Sequence, residues 1–254
     1  MILDNFKLDN KVAIVTGGAV GLGRGMALGL AAAGADIVAV GHTEEDNGVV
    51  AEIEALGRKA IYIQANLMET APIAGIIEKA VAEFGHIDIL VNNAGIIRRE
   101  DSVNFTEQDW DDVMNINVKT VFFFSQAVAN QFMKQETGGK IINIASMLSF
   151  QGGIRVPSYT ASKSGVKGIT MLMANEWAKH GINVNAIAPG YMATDNTVAL
   201  RADADRNKAI LERIPADRWG TPEDLAGPAV FLASEASNYI NGYTIAVDGG
   251  WLAR

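Results

Sequence analysis

The chain has 254 residues, 49% of them apolar, a formal net charge of −8 and no cysteine. That length suits one α/β domain with a sizeable core. The negative charge argues against nucleic-acid or anionic-membrane partners, which favour basic surfaces, and the lack of cysteine excludes disulfides, thiolate metal sites and cysteine nucleophiles.

The N-terminal MILDNFKLDNK alternates acids with apolar residues and has no continuous apolar segment. No later run is long enough to span a bilayer, so a cytoplasmic protein is expected. In chain order, strands are predicted at Lys11–Gly17, Asp36–Gly41, Ala60–Ala65, Ile87–Asn93, Gly139–Ser146, Ile182–Pro189 and Tyr243–Gly250. Helical spacing separates them at Met26–Ala33, Val49–Leu56, Ile76–Phe84, Trp110–Phe132 and Ala161–Lys179. Strands apolar throughout and separated by helices indicate an α/β, doubly wound, seven-stranded parallel sheet with helices on both faces. No linker, charge block or repeat divides residues 1–254, so a single domain is expected. The polar stretch Tyr191–Trp219 is expected to form a short helical excursion serving as a substrate lid.

TGGAVGLGRG follows the first strand and opens the first helix. Gly17, Gly21 and Gly23 would let the backbone, with Val20 and Leu22 between them, turn tightly against a pyrophosphate at a helix N-terminus. The spacing is Gly-x-x-x-Gly-x-Gly. Further on come NNAG at Asn92–Gly95 and a serine, tyrosine and lysine at Ser146, Tyr159 and Lys163. Tyr159 and Lys163 are four apart and would share one helix face, while Ser146 ends a strand at the sheet edge where ligands bind in such folds. Taken singly, a Tyr-x-x-x-Lys pair is usually a solvated helix face. Together, and in this order, these motifs resemble the short-chain dehydrogenase/reductase family over the whole chain, which implies a Rossmann-like fold and hydride transfer with a nicotinamide cofactor.

A free tyrosine has a pKa of about 10, and a nearby cation lowers it; Lys163 and the oxidised nicotinamide would supply that charge. The resemblance then makes Tyr159 the group that exchanges a proton with the substrate oxygen. Ser146 would donate to that oxygen, Lys163 would tune Tyr159 and hold the nicotinamide ribose, and Asn117 would hold a proton-relay water beside the lysine. Asn93, Ala94 and Gly95 would wall the adenosine ribose. Pro189, Gly190, Met192 and Thr194 would bind the carboxamide, with Ile187 or Met192 lining the ring.

The remaining cofactor candidates depart from the family pattern. Where NAD-preferring relatives carry an acid after the second strand, this chain has Gly41 and His42, and Asn66, followed by Leu67, replaces a common aspartate after the third. Thr43 and Asp46 look like a helix N-cap pair. No strong cation awaits a 2′-phosphate, which favours NAD, while His42 keeps NADP open.

Arg98, Arg99 and Arg155 offer guanidinium forks suited to carboxylates, and Gln151, Ser149 and Ser158 add hydrogen-bonding groups. A polar anion such as a sugar acid fits better than a steroid. NIASMLSFQGGIRVPSYTASKSG, NEWAKHGINVNAIAPGYMAT, RIPADRWG and VDGGWLAR resemble family members acting on keto-deoxy sugar acids, leaving gluconate itself open. A 3-oxoacyl thioester reductase would need a basic patch for its acidic carrier protein, which is hard to find here, and a silent nicotinamide-binding regulator would usually lack the tyrosine or lysine. The resemblance also implies a homotetramer, with the helices at Trp110–Phe132 and Ala161–Lys179 able to pair across a twofold axis. The terminal GGWLAR reads either as a frayed tail or as an arm to a neighbour's site.

Overall fold

The computed structural model describes residues 1–254. Seven strands, β1 (Val12–Thr16), β2 (Asp36–Gly41), β3 (Ala60–Gln64), β4 (Ile89–Asn92), β5 (Gly139–Ile144), β6 (Ile182–Pro189) and β7 (Thr244–Val247), form one sheet. Their spatial order is β3-β2-β1-β4-β5-β6-β7, and every neighbouring pair is parallel. The strand order reverses between β1 and β4, so a crevice opens beyond the carboxyl ends of these strands. The turns carrying the glycines, the NNAG segment and Ser146 all leave the sheet at that edge.

Alternate residues of each strand serve opposite cores. Ala13, Val15, Ile37 and Ala39 meet α1 (Gly21–Ala32) and α2 (Val49–Ala55) on one face, together with Ala229 and Leu232 of α9 (Ala226–Ala233). Ile14, Val38, Leu90 and Val184 meet α3 (Pro72–Phe84), α5 (Thr120–Gln135) and α6 (Pro157–Trp177) on the other. Phe124 and Phe132 of α5 are fully buried there, each contributing about 2–3 kcal/mol by burial alone.

The expected helix over Trp110–Phe132 is not continuous. It divides into α4 (Glu107–Met114), one π turn (Asn115–Lys119) and α5, and such turns favour functional positions. The segment after β6 contains α7 (Val198–Ala202) and α8 (Ala204–Arg213). Ile210 and Ile214 bury themselves with Met147 and Trp251, flanked by Tyr191 and Trp219. The terminal residues are therefore not frayed: Trp251 is 5% exposed and packed on its own chain. No helix is long and apolar enough to cross a membrane.

Candidate active site

β5 ends at Ile144, and Ser146 caps the short 3-10 turn that follows, its Oγ accepting from Leu148 N at 3.2 Å. Pro157 opens α6 at the position where its fixed φ suits a helix start. In the first turn of this helix, the Tyr159 hydroxyl faces the Ser146 side chain, which favours its phenolate. Lys163 lies one turn further on the same face: its Nζ donates to the Ile144 carbonyl at 2.6 Å and stands 5.6 Å from the centre of the Tyr159 ring. Ser146 and Lys163 are buried, at 7% and 5% exposure. The three side chains converge as their spacing implied.

Burial works against the expected lowering of the phenol's pKa. It raises the Tyr159 pKa above its ordinary value, and the opposing influences are the Ser146 side chain and then the charge of Arg99. Lys163 is itself lowered to about 8 by burial, because desolvation penalises the charged form. Its ammonium is turned to the Ile144 carbonyl. Ser146 and Arg99 both favour the Tyr159 phenolate against its burial.

Asn117 sits in the π turn, 1% exposed. Its Oδ1 accepts from Ile96 N at 2.9 Å, while Nδ2 donates to Ile96 O at 3.0 Å and to Ser162 Oγ at 3.1 Å. Ser162 Oγ in turn donates to the Tyr159 carbonyl at 2.8 Å. Both amide N–H donors of Asn117 are thus used in tying the NNAG loop to α6, so its side chain has no donor left for a relay water. Ser162 is a positioning residue that sequence reasoning missed. Also missed is a buried chain from Ser125 through Asn92 and Asn143 to Thr170, with three contacts of 2.9 Å. Its only signal was a polar residue at the same level in two apolar strands, Asn92 pairing with Asn143.

At the glycine turn, Thr16 Oγ1 accepts from Asn93 N and Ala94 N, both at 2.9 Å, and Asn93 Nδ2 donates to Thr16 O at 2.9 Å. These bonds hold the NNAG segment, including Gly95, against the turn. Gly17 has φ +64°, and a Cβ on Gly23 would lie 2.0 Å from Gly17 O. No larger residue fits that cradle. α1 begins with neither a side-chain cap nor an acid in its first turn, so the amides after Val20, including Leu22 and Gly23, are free for an anion. Thr194 closes in from the other side, its Cγ2 3.9 Å from where a Gly21 Cβ would be. Gly190 N, following Pro189, is fixed to Val247 O at 3.0 Å, and Met192 is buried beside Gly220. This cradle fits the pyrophosphate of a dinucleotide.

At the far end, a Cβ on Gly41 would fall 2.4 Å from Tyr62 Oη. The Tyr62 hydroxyl, which donates to Thr43 O at 2.7 Å, fills the room an acidic side chain would need. His42 is exposed, and it lines with Thr43, Glu44, Glu45, Asn47 and Gln64 a cleft of about 500 Å³. The expected Thr43–Asp46 pair does not form. Asp46 alone accepts from Gly48 N and Val50 N, at 3.0 and 3.1 Å, because the Thr43 hydroxyl donates to Glu45 O instead. Exposed Asn66 accepts from Met68 N at 3.1 Å, whereas Leu67 is buried.

The three arginines part company. Arg98 pairs with Asp109 and Asp112, both at 3.3 Å, and Arg155 pairs with Glu100 at 3.5 Å and Asp101 at 3.0 Å. Those forks are occupied by the chain's own carboxylates. Arg99 has no carboxylate partner; its Nη2 donates to Asn196 O at 3.3 Å, and its charge reaches Tyr159. Ser149 Oγ is taken by the Lys163 carbonyl at 2.5 Å, and Ser158 is fully buried with an unpartnered hydroxyl. Gln151 Oε1 accepts from Trp251 Nε1 at 3.2 Å and Arg213 Nη2 at 3.4 Å.

A fold and a site of this kind have known counterparts. The family model for short chain dehydrogenases matches residues 11–205. The 2-dehydro-3-deoxy-D-gluconate 5-dehydrogenase of Dickeya dadantii is 68% identical over 254 residues, covering 100% of both chains. A crystal structure from Agrobacterium tumefaciens, described as a 2-deoxy-D-gluconate 3-dehydrogenase with bound NADP, is 54% identical with a TM-score of 0.90, covering 98% of this chain and 99% of that one. A gluconate 5-dehydrogenase from Burkholderia cenocepacia, in complex with NADP and tartrate, is 40% identical with a TM-score of 0.95, covering 100% of both. The chain belongs to the short-chain dehydrogenase family. It is an NAD(P)-dependent oxidoreductase acting on a CH–OH group.

Proposed function

We propose that this enzyme interconverts 2-dehydro-3-deoxy-D-gluconate and the 2,5-diketo acid by moving hydride at C5. The observation that carries this reading is Arg99, the one candidate fork without an internal carboxylate, placed where its charge is felt by the Tyr159 hydroxyl. A sugar acid bound with its carboxylate toward Arg99 would present a hydroxyl carbon to Tyr159 and Ser146. The 68% identical Dickeya relative favours the keto-deoxy acid over gluconate, whose dehydrogenase from Burkholderia is 40% identical.

Tyr159 takes the proton from the substrate hydroxyl during oxidation and returns it during reduction. Ser146 holds the substrate oxygen by a hydrogen bond and so stabilises its developing charge. Asn117 and Ser162 keep the Tyr159 backbone in register with the NNAG loop, and Lys163 presents its ammonium beside the phenol. When bound, the cofactor supplies the hydride acceptor or donor. Its pyrophosphate would rest on the Gly17–Gly23 turn, with Asn93–Gly95 and the Pro189–Thr194 segment on either side. We read the adenosine end as favouring NAD, because no arginine or lysine lines the cleft beside His42 and Glu44 and Glu45 would oppose a 2′-phosphate. NADP in the two related crystal structures is a property of those proteins.

Residues 1–254 act as one catalytic domain in the cytoplasm, with Tyr191–Trp219 as its substrate lid. A groove of about 310 Å³ between α5 and α6, lined by Phe122, Met133, Leu172 and Trp177 together with Gln126, Asn130 and Glu176, supports assembly into a homotetramer through these helices. A monodisperse monomer in light scattering would overturn that assembly. The activity itself is tested by assaying 2-dehydro-3-deoxy-D-gluconate, gluconate and 2-deoxygluconate with each nicotinamide, beside the Tyr159→Phe variant. The keto-deoxy acid with NAD should give the highest kcat/KM, and the variant should lose turnover by at least about 10²-fold while still binding NADH. Near-normal turnover of Tyr159→Phe would remove the acid/base assignment.

A further inference from the structure

The C-terminal turn Trp251–Ala253 and helix α8 meet at one side chain, Gln151, five residues beyond Ser146. Gln151 Oε1 accepts from the Trp251 indole N–H at 3.2 Å and from Arg213 Nη2 at 3.4 Å. Indole and guanidinium groups only donate, so they fix which end of the amide faces them. The oxygen is turned toward the clasp, and the Gln151 Nε2 group has no partner in the protein. The clasp is itself held firmly. The Arg213 guanidinium lies 3.9 Å above the Trp251 ring, and Tyr191 meets that ring at 4.8 Å. Asp248 accepts from Gly250 N and Leu252 N, both at 2.9 Å, and Arg254 donates to Glu212 O at 2.6 Å. Met147, next to Ser146, shares the same buried cluster as Trp251, Ile210 and Ile214.

We infer that Trp251 and Arg213 are positioning residues for substrate: by engaging the Gln151 oxygen they direct its amide N–H donors at a polar group of the bound sugar acid. The inference rests on the sugar-acid reading of the site. It makes the C-terminus and α8 part of substrate selection, since a glutamine free to rotate would offer a carbonyl as readily as an N–H.

Two variants test this, each beside the wild type. Trp251→Phe keeps a ring for Arg213 and Tyr191, deletes the indole donor and loses part of the buried ring's volume, so some fall in Tm accompanies it. Gln151→Glu still accepts from both clasp residues and pairs better with Arg213, but it cannot donate and it repels an anion. KM and kcat for 2-dehydro-3-deoxy-D-gluconate, the NADH dissociation constant by fluorescence and Tm are measured for all three. Trp251→Phe should raise KM about fivefold to tenfold, the worth of one hydrogen bond, with kcat and NADH affinity within about twofold. Gln151→Glu should raise KM further while Tm stays level or rises. Unchanged KM in both variants, or a KM rise matched by a loss of NADH affinity, would overturn the inference. Failure of the wild type to turn over any sugar acid would instead reject the reading beneath it; the variant-to-wild-type KM ratio is then taken on whichever alcohol the enzyme does oxidise.

Discussion

Arg99 does two things at one point in the site. Its guanidinium can hold an anionic substrate, and its charge favours the Tyr159 phenolate against the burial that disfavours it. Removing the charge should therefore alter pH behaviour as well as affinity. Alcohol oxidation needs the phenolate, and Tyr159 sits above its ordinary pKa, so the oxidation rate should climb into the alkaline range. In Arg99→Gln the phenolate loses a stabilising cation, its pKa rises further, and the climbing limb should move to higher pH, while KM for the sugar acid rises about tenfold or more from loss of a charge-assisted contact. Arg99→Lys should keep most of the pH profile but lose bidentate binding. A kcat–pH profile for Arg99→Gln that overlays the wild type would show that the guanidinium does not influence the acid/base group. Arg98 and Arg155 were indistinguishable from Arg99 in the sequence because their partners are set only by folding. Asp109 and Asp112 come from α4, and Glu100 and Asp101 from the loop that packs against Arg155.

Among the elements, the seven strands were legible because each is a short, predominantly apolar run, as a sheet covered on both faces requires, with few polar breaks such as Asn143 and Asn185. Their observed limits stay within the expected ones, from Val12–Thr16 to Thr244–Val247. The glycine turn was legible for the same kind of reason, since its spacing leaves no room for side chains where Gly23 passes Gly17 O. The π turn at Asn115–Lys119 was not legible, because the apolar period runs on through it and one extra residue per turn leaves no mark in composition. Helix α9 escaped notice for the opposite reason: AGPAVFLA is apolar nearly all round, so it carries no amphipathic period. Gly41 looked like a missing acid until β2 and β3 were laid side by side. Tyr62 stands opposite Ala39 in that register, and its hydroxyl occupies the space over Gly41. The set Ser146, Tyr159 and Lys163 was readable from the motifs taken together and their family resemblance, but the groups that balance the phenol were not. Burial and the approach of Arg99 belong to the folded chain.

At the scale of the whole molecule, two lysines at opposite edges of the sheet link stability to pH. Lys163 lies at the carboxyl end of β5 beside Ile144, whereas Lys140 lies near its beginning, donating to Asn183 at 2.9 Å and Asn238 at 2.7 Å. Burial lowers both, each to about 8, against about 10.4 in an unfolded chain. Between those values the unfolded chain binds more protons than the folded one, and unfolding free energy then rises with pH. Below about 8 both lysines are charged in both states, and their burial is a constant penalty. Tyr159 acts in the other direction. Its folded pKa is raised, so above about 10, where an unfolded tyrosine ionises, the folded chain binds the extra proton and stability falls. The cofactor-free protein should therefore gain stability to urea from about pH 8 to near pH 10 and lose it beyond. Lys140→Met should flatten part of that rise, and Tyr159→Phe should remove part of the later fall, whatever either does to absolute stability. Urea midpoints that stay level or decline from pH 8 to 9.5 in the wild type would mean that neither ammonium is held in the folded chain at the cost its burial implies.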